Sequence, residues 1–458
     1  MPRFFLLIAL LVSALFPSLP ASAVGLNDTG ITTCSNATQN GLPCPVPGFP
    51  GQDAEYGTNT FNFTKLDASG NVLPSSATNH VCVLDNVTGL TWEVKTADGG
   101  LRDKKWSYSW YDSSAPGGNP GTASGGKCHD TGRCDTEKFT QDVNANGLCG
   151  FHDWRMPNPK ELAGIVDYSI PYPGPTINTG YFPNTPSSDF WSSAPDAYRS
   201  DNAWFVSFDS GYVKSNARSS ALAVRLARGG QALVSLSSNA DGTVTENSTG
   251  LMWAQCSEGQ SGTGCTGSAT GMTWADALTA AKNSRLGGYS DWRLPNAKEL
   301  QSIVDYSVYT PSINSAIFPN TPSSNFWSSA PYAYYSDYAW FVHFYFGDVY
   351  VSYPGRSSAL AVRLVRGGQA FVSFDLSVAK SGTGSGTVTS NPTGIDCGIT
   401  CAANFPGVTS VTLTAASAAG NVFTGWSGDC TGTSTTCVVN PSTPKSVTAT
   451  FTTIRACK

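Results

Sequence analysis

Two glutamates, Glu161 and Glu299, are the residues best placed to do chemistry, each in one of two near-identical stretches, DWRMPNPKELAGIVDYS at 153–169 and DWRLPNAKELQSIVDYS at 291–307. A carboxylate near an arginine, here Arg155 or Arg293, could serve as a general acid. The spacing gives it another duty. Asn158 and Asn296 stand three residues before the glutamates, the interval of a reciprocal capping box, and Pro159 takes the first helical position, where its missing N–H costs nothing. A cap accounts for both carboxylates without a substrate, and glutamine at 299 would still cap, so the sequence predicts little change in stability from Glu299→Gln. Arg155 and Arg293 then tie the short helix to a sheet through a buried ion pair, with Asp167 and Asp305 as the expected partners. Other constellations are missing: the histidines are His80, His129, His152 and His343, there is no CxxC, and no Ser/His/Asp or Cys/His arrangement emerges. The expectation is therefore a non-enzyme with no metal and no cofactor.

The elements around these motifs are duplicated. Phe190 to Val213 runs without gaps against Phe326 to Val349 and differs only at Asp196/Tyr332, Arg199/Tyr335, Asn202/Tyr338, Ser207/His343, Asp209/Tyr345, Ser210/Phe346 and Tyr212/Asp348. Trp204, Val206 and Phe208 recur as Trp340, Val342 and Phe344 with a period of two, which predicts a half-buried strand with one fixed and one free face. Phe205/Phe341, shared on the free face, marks where the strand enters the sheet. Gly211 and Gly347 suit a turn of positive φ, and Val213 or Val349 opens a return strand. Upstream, TGLxW recurs at 88–92 and 249–253, followed by helices over Asp135–Asn146 and Thr273–Ser284.

The chain has 458 residues, 13% charged, with net charge −5 and no basic run, a balance that argues against nucleic acid as a partner. Residues 1–23 read as a cleaved signal peptide: Arg3, an apolar run from Phe4 to Phe16, then Ala21-Ser22-Ala23. That run is too short to span a bilayer, and no later stretch is long enough. Thirteen cysteines in an exported chain point to disulfides. Close spacing pairs Cys34 with Cys44, Cys128 with Cys134, Cys256 with Cys265, Cys397 with Cys401, and Cys430 with Cys437. Cys82 aligns with Thr243 and Cys149 with Gly287, so this pair is absent together from the second repeat, as a Cys82–Cys149 bridge would leave it. Cys457 is the odd cysteine.

The layout is a Gly/Pro-rich lead-in over 24–60 with no evident chemistry, repeat one over 61–235, repeat two over 236–374, and a small all-β domain over 375–456 rich in Thr/Val strands. The ordered set TGLxW, DWRxPNxKEL, FWSSxP, AWFVxF and SALAVRLxRGG, present twice, resembles the Lcl_C domain family, a bacterial domain of unknown function. The resemblance implies an α+β architecture of tandem C-type lectin-like domains, small helices packed on a twisted antiparallel sheet. The tail, with FTGWSGDC, TCVVN and SVTATF, resembles divergent internalin B-repeat domains of bacterial surface proteins. The Glu-Pro-Asn, Gln-Pro-Asp and Trp-Asn-Asp calcium motifs of sugar-binding C-type lectins are absent, so calcium-dependent sugar binding is not implied. The formylglycine-generating enzymes share that fold, but 190–235 and 326–374 lack the cysteines their activity needs.

These readings converge on an exported surface or secreted protein that binds an external protein or glycan, with an envelope enzyme or a passive spacer as the alternatives. The expected ligand residues lie on the differing face. Repeat one offers Asp196, Arg199, Asn202, Ser207, Asp209, Ser210 and Tyr212; repeat two offers Tyr332, Tyr335, Tyr338, His343, Tyr345, Phe346, Asp348 and Tyr350, with Ser352 and Tyr353 nearby. Tyr and Ser/Asp mixtures give rigid contact area at low entropic cost. Tyr334, whose counterpart Tyr198 is also Tyr, fits a core or a surface position equally. Repeats so unlike on this face would take different ligands, or one ligand with different affinities.

Overall fold

The computed structural model describes residues 25–56, 60–115, 118–230, 235–351, 355–367, 374–391, 394–398, 400–405, 411–439 and 445–454. The expected signal peptide, Ser352, Tyr353 and Cys457 lie outside them. The architecture is α+β, mostly strand with few short helices, and divides into two units, one of which holds the lead-in and both repeats.

In that unit each repeat folds an antiparallel meander of an outer, a middle and an inner strand. These are Asp189–Pro195, Asn202–Ser207 and Val213–Ala217 in repeat one, and Asn325–Pro331, Ala339–His343 and Asp348–Tyr350 in repeat two. The inner strands pair with each other through Val213 and Val349, so the two meanders merge into one six-stranded sheet about an approximate two-fold axis. The turns before them require glycine: Gly211 and Gly347 have φ of 86° and 108°, and a Cβ at Gly347 would come within 3.2 Å of the Tyr306 ring. A smaller sheet completes each repeat, where the TGLxW strand, Thr91–Glu93 or Met252–Ala254, pairs with the end of the VRLxRGG segment at Ala227–Arg228 or Val365–Arg366.

The expectation of a free face on the middle strand is corrected. Trp204 and Val206 enter a core shared with repeat two, while Ala203 and Phe205 enter a second core with Phe139 and Val143 of helix Thr136–Asn146. In repeat two Ala339 and Phe341 meet Trp274, Ala277 and Leu278 of helix Trp274–Asn283 in the same way. Phe205 and Phe341 are thus core residues. The helices cover the second face over its middle, and only the ends of the strands and their turns emerge.

The N-terminal stretch is more than a leader. Cys34–Cys44 staples it, and Asn27, Thr29, Gln52 and Asp53 are buried against the unit's core. All six expected disulfides are formed, Cys82–Cys149 among them. The C-terminal unit is all-β: a four-stranded sheet centred on Phe374–Ser381 and Lys445–Thr453, which pair in parallel, and a three-stranded sheet centred on Val411–Ser417. Val378, Val388, Leu413, Trp426 and Phe451 fill its small core, stiffened by Cys397–Cys401 and Cys430–Cys437.

Candidate functional site

The DWR motif is structural in both repeats. Asn158 accepts from the Glu161 N–H and Asn296 from the Glu299 N–H, and each glutamate accepts in return from the asparagine N–H, completing the two capping boxes. The arginines do not pair with Asp167 and Asp305. Arg155 makes a bidentate pair with Glu161 and Arg293 with Glu299, every bond 2.7 Å, and each arginine also donates to a carbonyl of the closing glycine pair, Gly229 or Gly367. Asp167 and Asp305 instead accept from Ser169 and Ser307 within their own turn. One carboxylate thus caps a helix and neutralises a guanidinium, a double duty that helix spacing alone could not reveal. Burial works against the charge on Arg293, yet the Glu299 carboxylate outweighs it and raises the pKa.

The motif lysines knit the repeats together. Lys160 donates to the carbonyl of Ser302, the last residue of the other repeat's helix, at 2.7 Å; Lys298 reciprocates on Gly164 at 2.8 Å and also reaches the Asp28 carbonyl. A cation on a helix C-terminal carbonyl is favourable. Above them Tyr168 packs edge-on against Trp340, and Tyr306 against Trp204, with ring centroids 4.6 and 4.8 Å apart. Each repeat therefore completes the other's core.

This junction decides where the differing residues go. They do not make two separate outward faces. A cleft of about 430 Å³ is lined by Tyr172, Asp189, Ser207, Asp209, Tyr212 and Lys214 of repeat one and by Tyr332, Tyr334 and Tyr335 of repeat two. Its two-fold mate, also about 430 Å³, is lined by Arg199, Lys214 and Ser215 of repeat one and by His343, Phe346, Asp348 and Tyr350 of repeat two. A larger depression of about 770 Å³ beside the Cys256–Cys265 loop is lined by small residues and amides and offers neither a charge nor an aromatic ring.

Some expected ligand residues prove internal. Tyr332, only 5% exposed, packs on Trp340 and hands an edge to the first cleft. Asp196 is buried because it accepts from Ser215 and from the Tyr198 N–H, fixing the turn. Ser207 is buried and donates to Asp209, and Ser210 is largely covered. Asn202 donates to Ser215 from a half-buried position. Others are open: Tyr335 is 52% and Tyr334 45% exposed, which resolves Tyr334 to the surface. Tyr338 packs beside Tyr335. Arg199 lies over the Tyr198 and Phe346 rings, Tyr345 meets Phe346 edge-on, and His343 stands 3.7 Å from Asp348.

Sequence reasoning missed Tyr172, Tyr309 and Lys214. Tyr172 meets Tyr334 across the junction and Tyr309 meets Tyr198 in the mirrored contact. A signal was available, since each DYS motif is followed by a tyrosine, three residues on in repeat one and two in repeat two. Lys214 places its ammonium 3.8 Å from the centroid of Tyr350 and 4.9 Å from that of Tyr212, on the seam between the clefts. The lead-in, which carries no evident chemistry of its own, backs the first cleft: Asn40 donates to the Tyr332 carbonyl, and Arg356 donates to the Asn36 carbonyl and to Asn40.

The Lcl C-terminal domain family matches residues 81–228 and 242–366, more than half of the chain, and the chain belongs to that family in two copies. The divergent InlB B-repeat domain matches residues 376–455. No curated protein matches the chain. The two domain types are consistent with a surface-associated bacterial protein, and the disulfides with the InlB-type repeat point to an extracellular one. Among the described residues no helix is long and apolar enough to cross a membrane.

Proposed function

We propose that the chain is a non-catalytic binding or adhesion protein of the cell exterior, built on C-type lectin-like domains, and that its ligand is held at the seam of the two repeats. The observation that carries this reading is the aromatic band over the junction: Tyr172, Tyr334 and Tyr335 on one side of the axis and Tyr198, Tyr309, Tyr345 and Phe346 on the other. Exposed aromatic area of this kind on a stable scaffold marks contact surfaces, and tyrosines there supply most of the energy of an interface. The InlB-type repeat fits a role in display. The carboxylates of the DWR motif are already engaged in caps and ion pairs, which takes away the two acids that the sequence offered to the envelope-enzyme alternative. The test is an array of glycans and extracellular proteins probed with the mature chain and with the triple variant Tyr335→Arg, Tyr338→Asn, Tyr345→Asp. Saturable binding lost in a variant with unchanged melting supports the reading; binding that survives the triple change overturns it.

A further inference from the structure

The two clefts occupy equivalent places and differ in charge. Into the first point Asp189 and Asp209, two carboxylates beside tyrosine rings. The lysine they share a cleft with leans away, since the Lys214 ammonium lies closer to Tyr350, in the second cleft, than to Tyr212. Burial, with repulsion from Asp209, holds the Asp189 carboxyl above its ordinary range against the opposing pull of the Ser207 hydrogen bond and the Lys214 charge. The second cleft has the opposite balance, with Arg199 and Lys214 against Asp348.

The junction already uses its rings as platforms for cations. Lys214 sits over Tyr350 and Tyr212, and Arg199 over Tyr198 and Phe346. Among the described residues no cation of this chain lies over Tyr332, Tyr334 or Tyr335. Tyr334 and Tyr335, both exposed, have ring centroids 4.5 Å apart, so a cation beside the pair falls within about 6 Å of both rings, the range of cation–π attraction.

Resting on the binding role assigned to the junction, we propose that the first cleft holds an organic ammonium, a trimethylammonium group of the choline type, between the exposed rings of Tyr334 and Tyr335 and the carboxylates of Asp189 and Asp209. Aromatic faces attract a diffuse cation without demanding directional hydrogen bonds, and the carboxylates neutralise it. The chain's net charge of −5 adds a weak general attraction. The second cleft, with Arg199 and Lys214, repels the same group, so one site per chain is expected.

The probe is choline chloride titrated into the full mature chain at constant ionic strength, followed by saturation-transfer NMR of the N-methyl signal. Binding should saturate, and 3,3-dimethylbutanol, the uncharged analogue of the same shape, should bind at least tenfold more weakly. Asp209→Asn and Tyr335→Ala should each weaken choline severalfold with unchanged melting. Lys214→Met should strengthen it, because it removes a competing ammonium and a repelling charge. No saturation, equal binding of the neutral analogue, weakening by Lys214→Met, or tighter binding of N-acetyl-lysine amide than of choline would each overturn the assignment. If choline fails while an array ligand still depends on Tyr335, only this inference falls and the binding role stands.

Discussion

Replacing Glu299 by glutamine separates its capping from its charge, and the duplication supplies an internal control in Glu161. Glutamine keeps the side-chain oxygen that accepts from the Asn296 N–H, so capping survives. What is lost is the carboxylate facing Arg293, and that pair is almost entirely removed from water: the side chains are 4% and 2% exposed, against 25% and 12% for Arg155 and Glu161. Removing one partner of a buried, hydrogen-bonded pair leaves an uncompensated charge and costs about 3 kcal/mol. At the wetter site, water screens the remaining arginine, and Glu161→Gln should cost about 1 kcal/mol. Urea unfolding followed by tryptophan fluorescence compares the two variants, with the slopes checked for constancy. The double change Arg293→Met, Glu299→Leu should recover most of the loss. Equal costs at the two sites, within about 0.5 kcal/mol, would refute the claim that burial of the ion pair, rather than the cap, is what Glu299 contributes.

Non-reducing peptide mapping should link Cys82 to Cys149, and removing that bridge should cost about 4 kcal/mol on the chain-entropy account, given the 67-residue separation. Burial depresses the Lys160 pKa to about 8, so between pH 8 and 9.5 the unfolded chain holds a proton that the folded chain has released, and stability rises with pH there. The wild type should gain up to about 1.5 kcal/mol over Lys160→Met across that interval; parallel curves would show that the lysine is not desolvated at the junction. Asn40→Ala should raise hydrogen exchange at the Tyr332–Tyr338 turn in repeat two while leaving 196–202 in repeat one unchanged, because only the former is backed by the lead-in.

Local patterns were legible from the residues themselves. The Asn-to-Glu interval announced both capping boxes, the paired glycines at 211 and 347 announced the turns, and the joint absence of two cysteines from repeat two identified Cys82–Cys149. Each of these depends on neighbours in sequence or on a comparison of the two copies. What failed depended on partners far along the chain. Phe205 and Phe341 read as free-face residues because the helices that cover them are remote in sequence, whereas Arg293 was given the wrong acid because Glu299, only six residues on, was already assigned to the cap, leaving Asp305, twelve residues on, as its partner. Asp196 and Ser207 vary between copies although they are buried, since each position is satisfied by its own local hydrogen bonds or rings. The junction left a trace in the lysine of each KEL, whose ammonium is received by the other copy's helix, with the Asp28 carbonyl as a second acceptor for Lys298.

The central claim is that the ligand site is shared between the repeats. It is tested most directly by measuring, with whichever array ligand binds the mature chain, the affinities of Tyr212→Ala and Tyr335→Ala, one ring from each repeat facing the same cleft. Each change should weaken binding at least tenfold with little effect on melting. Loss confined to Tyr335→Ala, with Tyr212→Ala binding like the wild type, would contradict a shared site and return the ligand to repeat two alone.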